Sequence, residues 1–149
     1  MADSPKALRY AVIGAGMAGL LAAIKLKERG EAFTVYEKAA KLGGTWRENR
    51  YPGLTCDVPA HAYTYSFEPY AEWQNYYATG GEIQTYFEYV AEKYGILPAI
   101  RFNTEVTAAV FDDARQVWTL TLGGGEQVEA DVVIAASGVL HHPKVPEIP

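Results

Sequence analysis

At 149 residues, with 49% hydrophobic and 21% charged residues, the chain has the makeup of one globular domain, expected to withdraw about 68–70% of its unfolded surface from water. Its formal charge of -5, with 13 Lys and Arg scattered among 18 Asp and Glu, leaves no basic face for a phosphate backbone, so nucleic acid is not an expected partner. The single cysteine, Cys56, excludes an intrachain disulfide and a cysteine-rich zinc site; no metal is expected, and a reducing cytoplasm is the expected location.

After a short polar lead, residues 8–13 (LRYAVI) form an apolar run expected to be a buried strand. Residues 14–19 make a glycine-rich turn, and the spacing predicts a helix over 20–29, with Leu20, Leu21, Ile24 and Leu26 facing inward and Gly30 as its stop. The apolar stretch 11–24 that spans this junction is too short to cross a bilayer and holds three glycines, and no basic segment with a cleavage site precedes it. Neither a membrane segment nor an export signal is expected. Residues 32–36 read as a second strand, so the opening is a βαβ unit with a parallel strand pair.

From 41 to about 81 no clean periodicity runs, and nine of the 11 tyrosines fall between Tyr51 and Tyr94. This is an excursion from the scaffold. From Glu82 onward Ile83, Phe87, Val90 and Tyr94 recur at helical spacing, Gly95 supplies the stop, and one face of this helix is expected to pack on the sheet. Tyr86, Tyr89 and Tyr94 are expected to serve packing. Residues 100–102 read as a short strand. Residues 105–111, 116–122 and 127–130, joined by turns at "DDAR" and at 123–125, alternate as an antiparallel meander, and 131–136 returns as an apolar strand of the buried parallel type. His141 and His142 sit in a proline-rich tail and are expected to be solvated linker residues.

"GAGMAG" at 14–19 fits G-x-G-x-x-G. Gly14 would make the tight turn, Gly16 would let a pyrophosphate approach the backbone, and Gly19 would let the helix lie close on the strand. The helix N-terminus then offers unpaired N–H groups and a partial positive charge to phosphates. Glu37 closes the next strand, 18 residues past Gly19, where a carboxylate can accept hydrogen bonds from an adenine ribose and repel a 2′-phosphate. FAD or NAD, rather than NADP, is the expected occupant.

An NAD-type half would continue with another strand and helix, whereas this chain inserts an aromatic excursion and a meander before its last strand. That order resembles the Rossmann-like FAD-binding domain of the glutathione-reductase class, an α/β fold with a parallel sheet and an antiparallel β-meander. The closing "DVVIAASG" resembles that class's second FAD-contacting segment, with Ser137 where a Thr is usual. "GGTWRENRYPGLTCD" followed by "YTYSF" resembles the flavin-side segment of class B flavoprotein monooxygenases, above all the Baeyer–Villiger monooxygenases, and the resemblance runs from about residue 8 to 149. It implies that Gly43 and Gly44 let the chain pass the flavin, and that Thr45 and Trp46 contact the cofactor. Thr55, Cys56 and Asp57 would line the zone where flavin meets nicotinamide, with Asp57 the functional carboxylate. Tyr63 would contact FAD and Val106 would meet the adenine through its backbone. Gly14, Gly16, Ala18, Gly19, Glu37, Lys38 and Ser137 complete the implied cofactor-binding set.

The implied activity is that of an NADPH-dependent enzyme that inserts one oxygen of O2 into a ketone, or adds it to nitrogen or sulfur, through a C4a-peroxyflavin. Two departures stand out. Arg47 and Glu48 occupy places where such enzymes usually carry aromatics. The family fingerprint F-x-G-x-x-x-H-x-x-x-W and the NADPH-binding glycine turn would fall beyond Pro149, so the chain is expected to be the N-terminal FAD-binding part of a longer enzyme. A non-catalytic FAD-binding module or truncated remnant is the alternative. A disulfide reductase is disfavoured, because no C-x-x-C or C-x-x-x-x-C pair is present.

Overall fold

The structure, a computed structural model, describes residues 7–139 and 144–148; the His141–His142 pair lies outside them. Four parallel strands, β1 (Arg9–Ile13), β2 (Ala32–Tyr36), β3 (Ile100–Arg101) and β7 (Val132–Ala135), form a sheet in the order β3-β2-β1-β7. Three antiparallel strands, β4 (Val106–Asp112), β5 (Val117–Leu122) and β6 (Gln127–Ala130), form the meander. Both sheets fall where the hydrophobic pattern puts them.

Strand β1 divides the interior. Because successive side chains of a strand point to opposite faces, Val12 joins one buried cluster with Val35 and the helices, while Ala11 joins another with Tyr36, Leu120, Leu122 and Ala130 of the meander. The sheet is thus covered by helices on one face and by β5 and β6 on the other. Strand β7 is parallel as expected, but its residues are only half-buried or exposed. It lies at the outer position of the sheet, next to β1 alone among the described strands.

Helix α1 (Met17–Glu28) starts three residues earlier than the apolar spacing suggests, since Gly16 is extended and serves as its N-cap. Leu20, Ala23, Ile24 and Leu26 are buried, whereas Leu21, expected inside, is 38% exposed. The reason is angular: at 3.6 residues per turn the positions i, i+3 and i+4 share a face. Ala23 therefore takes the inward place assigned to Leu21.

Helix α3 (Gly80–Lys93) buries Ile83, Tyr86, Phe87 and Val90 completely. At its far end Gly95 adopts φ +60°, and Lys27 of α1 donates to the carbonyls of Tyr94 (2.8 Å) and Gly95 (2.7 Å). A cation thus meets the negative end of the helix. The irregular segment before α3 is fixed by tyrosine tips. Tyr86 Oη donates to the Glu68 carbonyl (2.8 Å) and accepts from the Tyr65 amide (2.9 Å), and Tyr65 Oη donates to the Met17 carbonyl (2.6 Å). The Glu68 carboxylate is buried and accepts from Tyr89, Tyr94 and Lys93. These tyrosines pack as expected, and they also supply the hydrogen bonds that a loop without regular pairing lacks. Among the described residues no helix is long and apolar enough to cross a membrane.

The start of α3 is a capping box: Thr79 Oγ1 accepts from the Glu82 amide, and Glu82 Oε2 accepts from the Thr79 amide (2.8 Å). Glu82 also accepts from the Gln74 amide (2.8 Å) and from Asn75 Nδ2 (2.9 Å), so one carboxylate pins the 74–79 loop to the helix. Burial pushes its pKa up, but the hydrogen bonds from Thr79, Asn75 and Gln74 outweigh it and bring the value down to about 2. A depressed folded-state pKa means that the stabilisation is complete above the unfolded value, about 4.3, and is lost as pH falls toward 2. Glu82→Ala should therefore cost about 1–2 kcal/mol at pH 6, and the gap from wild type should narrow between pH 4.5 and pH 2.5. Urea midpoints at the two pH values test this; a pH-independent gap would refute it.

Candidate dinucleotide site

The glycine turn is shaped by what surrounds it. Gly14 has φ +98°, and a Cβ there would lie 2.7 Å from the carbonyl oxygen of Ala136, just past β7. A Cβ on Gly19 would overlap the Gly14 carbonyl, so that glycine serves the close packing of α1 on the turn. Gly16 differs, because a Cβ would have 3.7 Å to its nearest neighbour, the Cα of Gly44. No side chain caps α1, and its first turn carries no acid. Its leading N–H groups are left to an external partner at the positive end of the helix.

Glu37 is 6% exposed. Its Oε2 accepts from the Ala15 amide (2.7 Å) and its Oε1 from the Ala39 amide (2.8 Å). The acid at the end of β2 is therefore a latch between the glycine turn and the loop after β2. Each of its oxygens keeps a second acceptor lone pair.

A groove of about 680 Å³ runs along this turn. Gly14, Gly16 and Ala18 line it from the turn and α1, and Glu37 and Lys38 from the end of β2. Gly44 and Thr45 enter from the start of a short helix α2 (Thr45–Glu48), Val106 from β4, and Ser137 from the segment after β7. Five separate stretches of the chain are thereby brought to one concavity of the size that ligand sites usually have. Glu48, one of the two departures at the aromatic places, lines it as well, and so do Met17, Thr104 and Glu105, which carried no sequence signal of their own.

The remaining candidates lie beside the groove. Gly19 is buried behind the turn. Trp46 Nε1 donates to Tyr63 Oη (3.1 Å), with the rings edge-on at 5.7 Å. Burial, with smaller contributions from Cys56 and Asp57, raises the Tyr63 pKa above the ordinary phenol value, so this hydroxyl stays protonated. Cys56 is buried and its amide donates to the Ala78 carbonyl (2.9 Å), while Thr55 bridges to Thr79. Asp57 is exposed, and among the described residues the one hydrogen bond it receives is the 4.0 Å contact from Cys56 Sγ. Trp46, Cys56, Asp57 and Tyr63 thus make a second cluster, distinct from the groove.

The Arg47–Glu48 departure straddles two spaces. Glu48 faces the groove, while Arg47 faces an adjoining cavity of about 690 Å³ with Lys38, Arg101 and Glu126. The two side chains meet at 3.2 Å, and Arg101 is held by Glu126 at 2.8 Å.

Comparison with known proteins matches residues 12–79 to the NAD(P)-binding Rossmann-like domain family. A Baeyer–Villiger monooxygenase of Streptomyces coelicolor is 44% identical over 143 residues, 95% of this chain and 27% of that protein. The closed crystal structure of cyclohexanone monooxygenase superposes with a TM-score of 0.90 at 36% identity, covering 95% of this chain and 28% of that one. A complex of OTEMO with FAD and NADP gives 0.89 at 35% identity, covering 98% and 28%. The chain spans about a quarter of the length of the relatives it matches.

The two inner glycines of the turn should respond differently to substitution. Gly19→Ala should destabilise the protein by about 1–3 kcal/mol, because the added methyl overlaps backbone that cannot turn aside. Gly16→Ala should cost under about 1 kcal/mol, the difference between glycine and alanine at an N-cap. Thermal unfolding of the two variants decides it, and equal losses would contradict the distinction.

Proposed function

We propose, for a chain that belongs to the Baeyer–Villiger monooxygenase family, that it is the FAD-binding portion of an NADPH-dependent flavoprotein monooxygenase acting with O2 on a small ketone or on a nitrogen or sulfur centre. The observation that carries this reading is the uncapped, acid-free start of α1, opening where Gly16 and Gly44 meet with only Cα atoms between them. With no side chain on either glycine, the approach to the α1 amides stays open to a pyrophosphate. The NADPH-binding domain would belong to the remainder of the longer enzymes, of which this chain matches about a quarter.

When bound, FAD supplies the redox and oxygen-transfer chemistry. The N–H groups of α1 hold the pyrophosphate. Glu37, through its remaining lone pairs, and Lys38 hold the adenosine ribose, and the Val106 backbone meets the adenine. Among the described residues the groove carries three carboxylates, Glu37, Glu48 and Glu105, against one cation, Lys38, and these would repel the 2′-phosphate of NADP. Gly44, Thr45 and Ser137 carry the groove toward the flavin end. There Trp46, Thr55, Cys56 and Tyr63 would flank the flavin, and Asp57 would be the catalytic residue that sets the charge and proton balance beside it. Its near-absence of internal partners supports that role over one of loop stabilisation.

The chain should bind FAD in preference to FMN, which has neither a pyrophosphate nor an adenine ribose. Glu37→Ala should weaken FAD binding by about 1–3 kcal/mol, the range for losing a hydrogen bond to a charged group. Titration followed by flavin fluorescence, on variants whose circular dichroism matches wild type, measures both. FMN binding as tightly as FAD would sink the reading, as would unaltered affinity in the Glu37 variant.

A further inference from the structure

We propose that Gln84, a residue of α3 that does not line the groove, is the positioning residue for the Gly43–Gly44 segment and through it sets how tightly the groove holds a pyrophosphate. The proposal rests on the dinucleotide reading of the groove.

Gln84 is 6% exposed, one of three buried polar or charged residues among the described residues. Its Nε2 donates to the Leu42 carbonyl (3.0 Å) and to Glu88 Oε1 one turn along the helix (2.8 Å). These two bonds fix the plane of the amide and turn Oε1 toward Gly43. That oxygen is buried without a hydrogen-bond partner. A Cβ on Gly43 would overlap it, so the side chain and the glycine are in direct contact.

The other side of the segment is equally constrained. The Gly43 amide donates to the Ala15 carbonyl (2.9 Å). Gly43 and Gly44 have φ +121° and +54°, and a Cβ on Gly44 would lie 3.3 Å from the Gly16 Cα. A continuous path of contacts therefore runs from α3 through Gln84, Leu42 and Gly43 to the glycine turn and the start of α1. Displacing Leu42 would carry Gly43 and Gly44 with it, beside the opening in front of the α1 amides.

A residue whose only task was to fill space here would be apolar, since a buried acceptor without a donor is destabilising. The amide has a reason to be present in its other half: its Nε2 holds the Leu42 carbonyl while its Oε1 rests against Gly43. The unsatisfied Oε1 is the consequence of that geometry.

The test uses the full chain with Gln84→Met, which keeps volume and length but cannot donate. Two quantities are read: amide hydrogen exchange at residues 43–45 in the protein without added cofactor, and the Kd for FAD. The expected result is faster exchange at 43–45 with α3 protection retained, together with FAD binding at least tenfold weaker. Gly43→Ala, which forces the same displacement from the opposite side, should also weaken FAD binding at least tenfold. Unchanged exchange at 43–45 in Gln84→Met overturns the proposal, and so does faster exchange with wild-type FAD affinity. Absence of FAD binding by the wild-type chain overturns the groove reading, and with it any cofactor role for Gln84.

Discussion

The Glu37 carboxylate, held between the Ala15 and Ala39 amides at 2.7 and 2.8 Å, is the interaction on which the arrangement depends. A charge this deeply buried is tolerated only when its oxygens are hydrogen-bonded, and here the donors are backbone groups from the two loops that frame the groove. The same strand end is tied twice more, since the Glu37 amide donates to the Arg101 carbonyl and its carbonyl accepts from the Thr104 amide. The turn after β1, the loop after β2 and the approach to β4 are thereby referred to one residue. A side chain that contributes charge to the groove also holds its walls in place.

A second level of support comes from the aromatic excursion. Its backbone forms little regular structure, yet it is ordered by the Tyr65 phenol reaching the Met17 carbonyl on α1, by the Tyr86 phenol of α3 reaching the Glu68 carbonyl, and by the capping box at Thr79. The groove is thus built from the βαβ scaffold on one side and from a segment without periodicity on the other. The two meet at Gly16 and Gly44, where neither carries a side chain.

Much of the scaffold was legible because it repeats. The strand, glycine turn, helix and strand at the start, the meander and the helix after Thr79 each impose a period on apolar residues. Leu21 was misassigned because a run of apolar residues hides which of them share a face. The half-buried state of β7 follows from its neighbours in the sheet, which local pattern does not encode. Short helix α2 was missed for the same reason, as four residues cannot display a period. Gly14, Gly16 and Glu37, which the sequence groups by their spacing in the βαβ unit, do line one groove. The close packing expected of Gly19 is seen in the structure, which adds its partner, the Gly14 carbonyl. Gln84 had no sequence signal, since one glutamine in a helix looks the same whether it faces solvent or a buried carbonyl 42 positions away.

The sheet order has a bearing on how such a chain emerges during synthesis. Strand β1 pairs with β2 early, but its other edge pairs with β7, and Arg9 bonds to Asp131 across 122 positions of sequence. At about 5–20 residues per second, that edge, with its open row of N–H and C=O groups, waits on the order of ten seconds for its partner. During this interval the Ala11 face also lacks the β5 and β6 residues that cover it. Of the described strands the earliest in sequence is among the last to be enclosed, and the nascent protein is most exposed to mispairing at the strand that leads into the glycine turn.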